Sequence, residues 1–332
     1  MNSVLVDFKL EKEWPFVEVL KTTTSEQWET IECQTNQYHG SKKASLIRFF
    51  WYFAFPFKMV LRRKKWNHIV AWQQFYGINF AFWCRLFHLK KINNLTIMTF
   101  IYKKKNGIAG WMYHKYMSFA VRSKYVDRFI CFSKNESEYY PHVFRVDKSK
   151  FIYIPVGIAP LESVDTSDGG YVFATGRSNR DYSFLLKVLE GTDFKCLIVC
   201  DTLPESLAAG STKILTDCHG KEMINRMAHS HCVVIPLKDI NVSSGQLVML
   251  QAMSLGKPVI CTNADGIKDY TTKDTAIMIP NDVNGWRRAI SSLYDEPERY
   301  LDMSKSALSL FEKNFTENIM FSNIAKILYK TK

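Results

Sequence analysis

The stretch Ser243-Ser-Gly-Gln-Leu-Val-Met-Leu-Gln-Ala-Met-Ser-Leu-Gly-Lys-Pro-Val-Ile-Cys-Thr262 contains one complete unit of an alternating fold. Its middle predicts a short helix over Gln246–Leu255. Gly256 stands where a helix-terminating glycine belongs, and Pro258 opens a strand over Val259–Thr262. Ahead of the helix, Ser243-Ser244-Gly245 predicts a serine cap beside a residue without a side chain. Backbone N–H groups, with the helix dipole behind them, would then point out of the fold toward an anion.

The same alternation extends on both sides. Upstream, strands are predicted at Phe151–Val156, Gly170–Ala174, Phe194–Cys200, Lys213–Leu215 and Cys232–Pro236, with helices at Tyr182–Leu189 and Gly220–Ala228. Downstream come a helix start at Ile267–Tyr270, a strand at Ala276–Ile279 and a helix at Val283–Leu293. Short strands alternating with helices imply a mainly parallel sheet covered on both faces, whose ligand lies beyond the strands' C-terminal ends. The loops 175–180, 237–246 and 263–266 should converge there. Arg177 and Arg180, directly after a strand, are candidates to neutralise a diphosphate with directed N–H donors. Ser243 and Gln251 could supply hydrogen bonds to sugar or ribose hydroxyls. Serine and glycine before a helix are ordinary capping, and loop arginines are usually solvated. Only their joint placement on one edge points to a phosphate.

At 332 residues the chain exceeds one hydrophobic core, so two domains of roughly 150 residues each are expected. The net charge of +12 is one-sided: residues 1–150 carry 25 Lys or Arg against 11 Asp or Glu, and residues 151–332 carry 19 against 21. Between Glu32 and Asp127 there are 17 basic residues and no acidic one. Such a field attracts phosphates, nucleic acid or anionic lipid, and does not itself choose among them. A basic nucleic-acid-binding protein is therefore one reading, although no nucleic-acid motif accompanies the charge. The 8 cysteines lack paired metal-ligand spacing and read as buried, reduced thiols. Asp239 and Asp265 stand isolated near the expected crevice, which gives a metal little support. The opening residues turn polar too soon for a signal peptide, and no run reaches the roughly 20 uncharged residues of a membrane span.

In the first half, strands are expected at Val4–Phe8, Thr30–Gln34, His68–Trp72, Leu95–Phe100 and Arg128–Phe132, with helices at Lys43–Val60 and Gly77–Leu89. Ala44–Leu61 carries seven aromatic side chains, from Phe49 to Phe57, between Lys42-Lys43 and Arg62-Arg63-Lys64-Lys65. Pro56 should kink or end this helix. The segment suits a membrane interface, or a core helix followed by a solvated basic loop; Lys90-Lys91 and Lys103-Lys104-Lys105 favour the interface. Glu298–Tyr329 reads as helical.

Residues 171–290 resemble the donor-binding domain of retaining glycosyltransferase family 4, in the GT-B superfamily. The pieces that carry the resemblance are Thr175-Gly176-Arg177, the strand Cys232–Pro236, the run Ser243–Thr262, Asn263–Asp269 and Ala276–Ile279. Ser133–Glu138 and Ile152–Ile158 extend it toward the first half, where residues 2–124 match only in outline. The resemblance implies an α/β GT-B fold, two Rossmann-like domains facing an interdomain cleft. Residues 1–155 would form an acceptor-binding, membrane-facing domain, 156–305 the nucleotide-sugar domain, and 306–332 a helix returning to the first domain.

It also implies a retaining, hexosyl-type transferase of surface-polysaccharide or lipid-linked glycan biosynthesis. Such an enzyme needs no metal or other cofactor; its donor is a nucleotide-diphosphate sugar, a UDP-sugar slightly favoured. Its acceptor is a glycan carried on a lipid diphosphate, and its place is the cytoplasmic face of the membrane, peripherally bound. Gly176, Arg177 and Arg180 would lie at the donor diphosphate, with Ser244, Gly245, Gln246 and Leu247 beside it. Ser243, facing the sugar, and Gln251, facing the ribose, occupy positions where the family has glutamates. Both carboxylates are missing, so an inactive GT-B scaffold is the second reading. The family's acceptor-side histidine is not evident near Thr99–Lys103.

Overall fold

A computed structural model describes residues 1–329 except 11, 39–40 and 162–163. It divides into two compact units: Met1–Ile154 together with the segment from Phe321 onward, and Pro155–Met320.

In the first unit, six parallel strands run in the order β2-β1-β3-β4-β5-β6. They are β1 (Asn2–Val6), β2 (Trp28–Glu32), β3 (His68–Ala71), β4 (Asn94–Ile97), β5 (Arg128–Cys131) and β6 (Phe151–Tyr153). Five helices connect them: α1 (Pro15–Thr24), α2 (Lys42–Leu61), α3 (Gln74–Leu86), α4 (Gly107–Val121) and α5 (Lys134–Phe144). Strands β1 and β2 begin two residues before their expected starts. β4 stops early because Thr99 takes a positive φ of 51° and turns the chain away.

Helix α2 does not end at Pro56; it continues to Leu61. Proline has no N–H to give the carbonyl four residues back, which is Tyr52. The buried Asn79 of α3 donates its Nδ2 to that oxygen at 2.8 Å, and Trp83 Nε1 donates to the next carbonyl, Phe53, at 3.1 Å. The helix is thereby mended from outside. Among the described residues α2 is the one helix long and apolar enough by length and composition to cross a bilayer, although Arg48 and Lys58 interrupt its uncharged run. Phe55, Met59 and Val60 nevertheless bury against the body of the unit, while Leu46, Phe49, Phe50 and Trp51 stay exposed.

The second unit has six parallel strands in the order β12-β11-β10-β7-β8-β9. They are β7 (Val172–Thr175), β8 (Cys196–Val199), β9 (Thr212–Leu215), β10 (Cys232–Ile235), β11 (Val259–Thr262) and β12 (Ala276–Ile279). The helices are α6 (Tyr182–Leu189), α7 (Gly220–Ala228), α8 (Gln246–Ser254), the short α9 (Asp265–Lys268), α10 (Val283–Asp295) and α11 (Pro297–Asn314). Alternate strand residues serve opposite cores: Phe173, Val233 and Ile235 pack with α8 and α11, whereas Val172, Ala174, Cys232 and Val234 pack with α6 and α10. Strand order reverses between β7 and β10, the doubly wound topology whose ligand crevice opens at the reversal.

The C-terminal stretch expected to be helical is helical in two pieces, α11 and α12 (Glu317–Tyr329). Phe315 and Thr316 interrupt them because this backbone pairs instead with Ile158: Ile158 N donates to Phe315 O at 3.0 Å and Glu317 N to Ile158 O at 2.9 Å. Gly157 makes the approach possible, since a Cβ there would lie 2.3 Å from Thr316 O. Beyond this point Phe321 joins the first unit, its ring 5.1 Å from Phe16 and 6.1 Å from Trp14. All eight cysteines are free thiols and seven are buried.

Candidate functional site

The loops after β7 and β10 meet where strand order reverses. Loop 176–181 leaves β7 through Gly176, at φ +108°. Arg180 folds back over this glycine so closely that a Cβ there would sit 2.7 Å from its Nη2. Its Nε donates to Thr175 O and its Nη1 to Ser178 O, both at 3.0 Å. Burial, the largest influence, lowers the Arg180 pKa. Tyr182 adds a hydroxyl bond to Gly176 O at 2.6 Å. Arg180 is thus an internal brace of the loop, with two of its donors already engaged. Arg177 differs: its side chain is 69% exposed and holds Asp201 through one contact of 3.2 Å. Exposed pairs of this kind are worth little, about 0–1 kcal/mol, so the guanidinium can exchange partners readily.

Loop 236–245 is latched to the first loop. Asp181 N donates to Pro236 O at 2.9 Å and Lys238 N to Asn179 O at 3.1 Å. The Asn179 side chain completes the latch: Nδ2 donates to Asp239 O and Ser244 Oγ, both at 2.8 Å, and Oδ1 accepts from Asp239 N at 2.9 Å. On the far side, Leu237 N donates to Thr262 Oγ1, Thr262 Oγ1 to Asn281 Oδ1, and Asn281 Nδ2 back to Leu237 O, at 2.8, 2.7 and 2.9 Å. Asn179, Thr262 and Asn281 are site-shaping residues that sequence reasoning missed. Asn179 left one signal, an asparagine in a Gly/Ser loop, where its φ of +58° is tolerated.

The expected serine cap is absent. Helix α8 starts on Gly245, at φ +91°, with no side-chain cap hydrogen bond. Ser244 Oγ is taken by Asn179 instead, because the latch places that amide nearer than the helix N–H groups. The first turn of α8 therefore keeps N–H groups without a capping side chain, and these suit an anion. Gly245 is required by contact as well as by φ: a Cβ would lie 3.0 Å from Ile235 Cγ2 and 3.1 Å from Ile267 Cδ1. Gln246 is buried beside it, and its Nε2 has no partner among the described residues. Leu247 is 56% exposed, and Gln251 follows one turn later, half-buried on the same face of the helix. Ser243 rests against Gly266, where a Cβ would come 2.6 Å from its Cα.

The structure therefore gathers Gly176, Arg177, Arg180, Ser243, Ser244, Gly245 and Gln246 around two latched loops. Asp239 Oδ1 accepts from Asn241 N at 3.0 Å, and Asp265 pairs with Lys268 at 2.8 Å. Among the described residues no three His, Cys, Asp or Glu side chains are grouped to hold a metal ion.

Residues 177–296 match the model of a family described as glycosyl transferases group 1. No curated protein sequence matches the chain at a significant level. Solved structures align over its whole length. A glycosyltransferase from Rickettsia africae has 14% identity and a TM-score of 0.69, covering 100% of this chain and 99% of that one. HepE from Anabaena, in complex with UDP, has 13% identity and a TM-score of 0.71, covering 100% of both chains. WaaG, a glycosyltransferase involved in lipopolysaccharide biosynthesis, has 10% identity and a TM-score of 0.67, again covering 100% of both. With two Rossmann-like units aligned over their whole length to these structures, the chain has the GT-B fold, and the part of it that includes α8 and most of the latched loops is similar to the glycosyl transferases group 1 family.

Proposed function

We propose that this protein transfers a sugar from a nucleotide-diphosphate sugar, with UDP-sugars favoured, to a glycan carried on a lipid diphosphate, retaining the anomeric configuration. The observation that carries the reading is the uncapped first turn of α8, held on Gly245 behind two latched loops, with the exposed Arg177 nearby. The UDP in the HepE complex supports the choice of base, and WaaG's role supports an amphiphilic acceptor.

In this reading the bond between the anomeric carbon and the diphosphate oxygen breaks as the acceptor oxygen bonds to the same face. The acceptor proton passes to the leaving phosphate. The chain's task is to hold the developing diphosphate charge with α8 N–H groups and the Arg177 guanidinium. Ser243 and Gln251 offer hydrogen bonds to donor hydroxyls without charge. No protein nucleophile is required.

Binding of UDP-, GDP- and other nucleotide sugars, followed by mass analysis of transfer to lipid-linked glycans, tests the reading. A UDP-sugar is expected to bind and one glycan to gain a hexose mass. If no nucleotide sugar binds at millimolar concentration, the donor assignment fails. Because Ser243 and Gln251 are both neutral, a second reading stands beside it. Tight donor binding with neither transfer nor donor hydrolysis would support an inactive scaffold.

We also propose peripheral attachment at the cytoplasmic face of the membrane through α2. Leu46, Phe49 and Phe50 fall at helical i, i+3, i+4 spacing and are 71%, 62% and 63% exposed, next to the exposed Lys42 and Lys43. Phe49→Ser with Phe50→Ser should lower binding to anionic vesicles about tenfold or more, each ring contributing roughly 1.5–3 kcal/mol on burial. Co-sedimentation equal to wild type would remove α2 from the membrane.

A further inference from the structure

A second candidate site lies in the first unit, on residues not assigned to the donor. A cavity of about 460 Å³ opens there, lined by Tyr102, Lys104, Lys105, Trp111, His114 and Tyr139 among others. The size lies within the range of small-molecule pockets, about 300–1,000 Å³. Its wall is built. Ile101 N donates to Gln74 Oε1 at 3.0 Å and Tyr102 N to Tyr140 Oη at 3.1 Å, which hold the segment leaving β4. Tyr102 is buried, stacks on Tyr113 at 5.6 Å, and its hydroxyl lies 2.9 Å from His114 Nδ1. Gly110 lets the Lys105 backbone close in, since a Cβ there would be 2.1 Å from Lys105 O. A segment fixed this firmly by its backbone leaves the side chains of Lys104 and Lys105 exposed on the lining, with Lys103 exposed just before them in the chain.

The lining carries two ammonium groups and no carboxylate. Burial chiefly, then Arg122, Lys104 and Lys115, lower the His114 pKa and so disfavour its charged form. Of the lining, Trp111 is 61% exposed, and its neighbours on the same helix, Ile108 and Met112, are 81% and 60% exposed. Ring contacts continue this apolar surface through Tyr113, Tyr116 and Phe53 to the exposed Phe49 of α2, at centroid distances of 6.4, 5.8 and 5.2 Å. Cations over aromatic walls beside exposed apolar side chains match a ligand with an anionic head and an apolar tail.

We propose that this cavity binds the diphosphate or phosphate head of an amphiphile, with Lys104 and Lys105 on the phosphate and Trp111 and Ile108 against the first carbons of the tail. Its assignment to the acceptor of glycosyl transfer rests on the function proposed above; the binding itself does not.

The probes are a short-chain prenyl diphosphate below its micellar concentration, inorganic pyrophosphate, and UDP, measured by calorimetry on the full chain. Wild type should bind the prenyl diphosphate at least tenfold more tightly than pyrophosphate. Lys104→Gln with Lys105→Gln should weaken the prenyl diphosphate tenfold or more and leave UDP affinity and Tm unchanged. Trp111→Ser should weaken the prenyl diphosphate and not pyrophosphate. Wild-type affinity in the double lysine variant overturns the site. Equal affinity for the prenyl diphosphate and pyrophosphate overturns the amphiphile and leaves a free-phosphate pocket. Failure to bind UDP while the lysine-dependent prenyl diphosphate binding persists would instead count against the donor reading and support this one.

Discussion

Replacing Gly245 with alanine should reduce UDP affinity more than tenfold and destabilise the second unit by about 1–3 kcal/mol, through backbone strain and a clash acting together. At φ +91° an L side chain is strained whatever the space around it. The added methyl would also stand 3.0 Å from Ile235 Cγ2 and 3.1 Å from Ile267 Cδ1, and both isoleucines are fully buried. Neither side chain can retreat without opening the sheet on one side or α9 on the other. The strain is relieved most cheaply by turning the first peptide of α8, which redirects the N–H groups proposed to hold the diphosphate. Thermal unfolding should show a Tm lowered by about 2–4 °C per kcal/mol, and calorimetry the weaker UDP binding. Wild-type values in both measurements would remove Gly245 from the donor site.

The second large effect separates two arginines that the sequence places together. Arg180→Ala should destabilise the second unit by about 2–3 kcal/mol, because Thr175 O and Ser178 O lose their donor and a cavity opens under Gly176. Its loss of nucleotide binding would follow from a displaced loop. Arg177→Ala should leave Tm unchanged, since the side chain is exposed and its Asp201 contact is weak, and should weaken UDP binding about tenfold, the order expected of one charge-assisted contact. Arg180→Lys should not restore stability, since one ammonium cannot reach two carbonyls in the fork geometry of a guanidinium. Unchanged nucleotide affinity in Arg177→Ala would sink the proposed phosphate contact. A Tm equal to wild type in Arg180→Ala would contradict the brace.

What could be read in advance follows the range of the interaction involved. Alternating strands and helices after Lys150 are local patterns, and every one of those strands is present within a few residues of its expected place. The end of α8 is equally local. Gly256 adopts φ +62°, and Gly256 N and Lys257 N donate to Met253 O and Ala252 O at 3.0 and 2.8 Å. By contrast α4 was invisible, because Gly107 and Gly110 argue against a helix when neighbours are ignored. Gly110 is there for a neighbour, the Lys105 backbone. The break before Glu317 was hidden for the same reason: Ile158, about 160 residues earlier in the chain, supplies the competing hydrogen bonds.

From the run Ser243–Thr262 outward, the sequence by itself determined a parallel, doubly covered sheet, the edge on which its loops gather, and the glycine from which α8 springs. Periodicity, proline and glycine act within a few residues, and one chain read in order contains them all. Tertiary structure alone decided how the side chains on that edge are used. Asn179 reaches 60 and 65 residues along the chain to Asp239 and Ser244, and so takes the serine expected to cap the helix. Arg180 turns inward to brace its own loop while Arg177 stays free to change partners, and Asn79 supplies to Tyr52 the hydrogen bond that Pro56 withholds. Hydrogen-bond donors go to whichever acceptor the folded chain brings within about 3 Å, and that proximity is a property of the packed molecule.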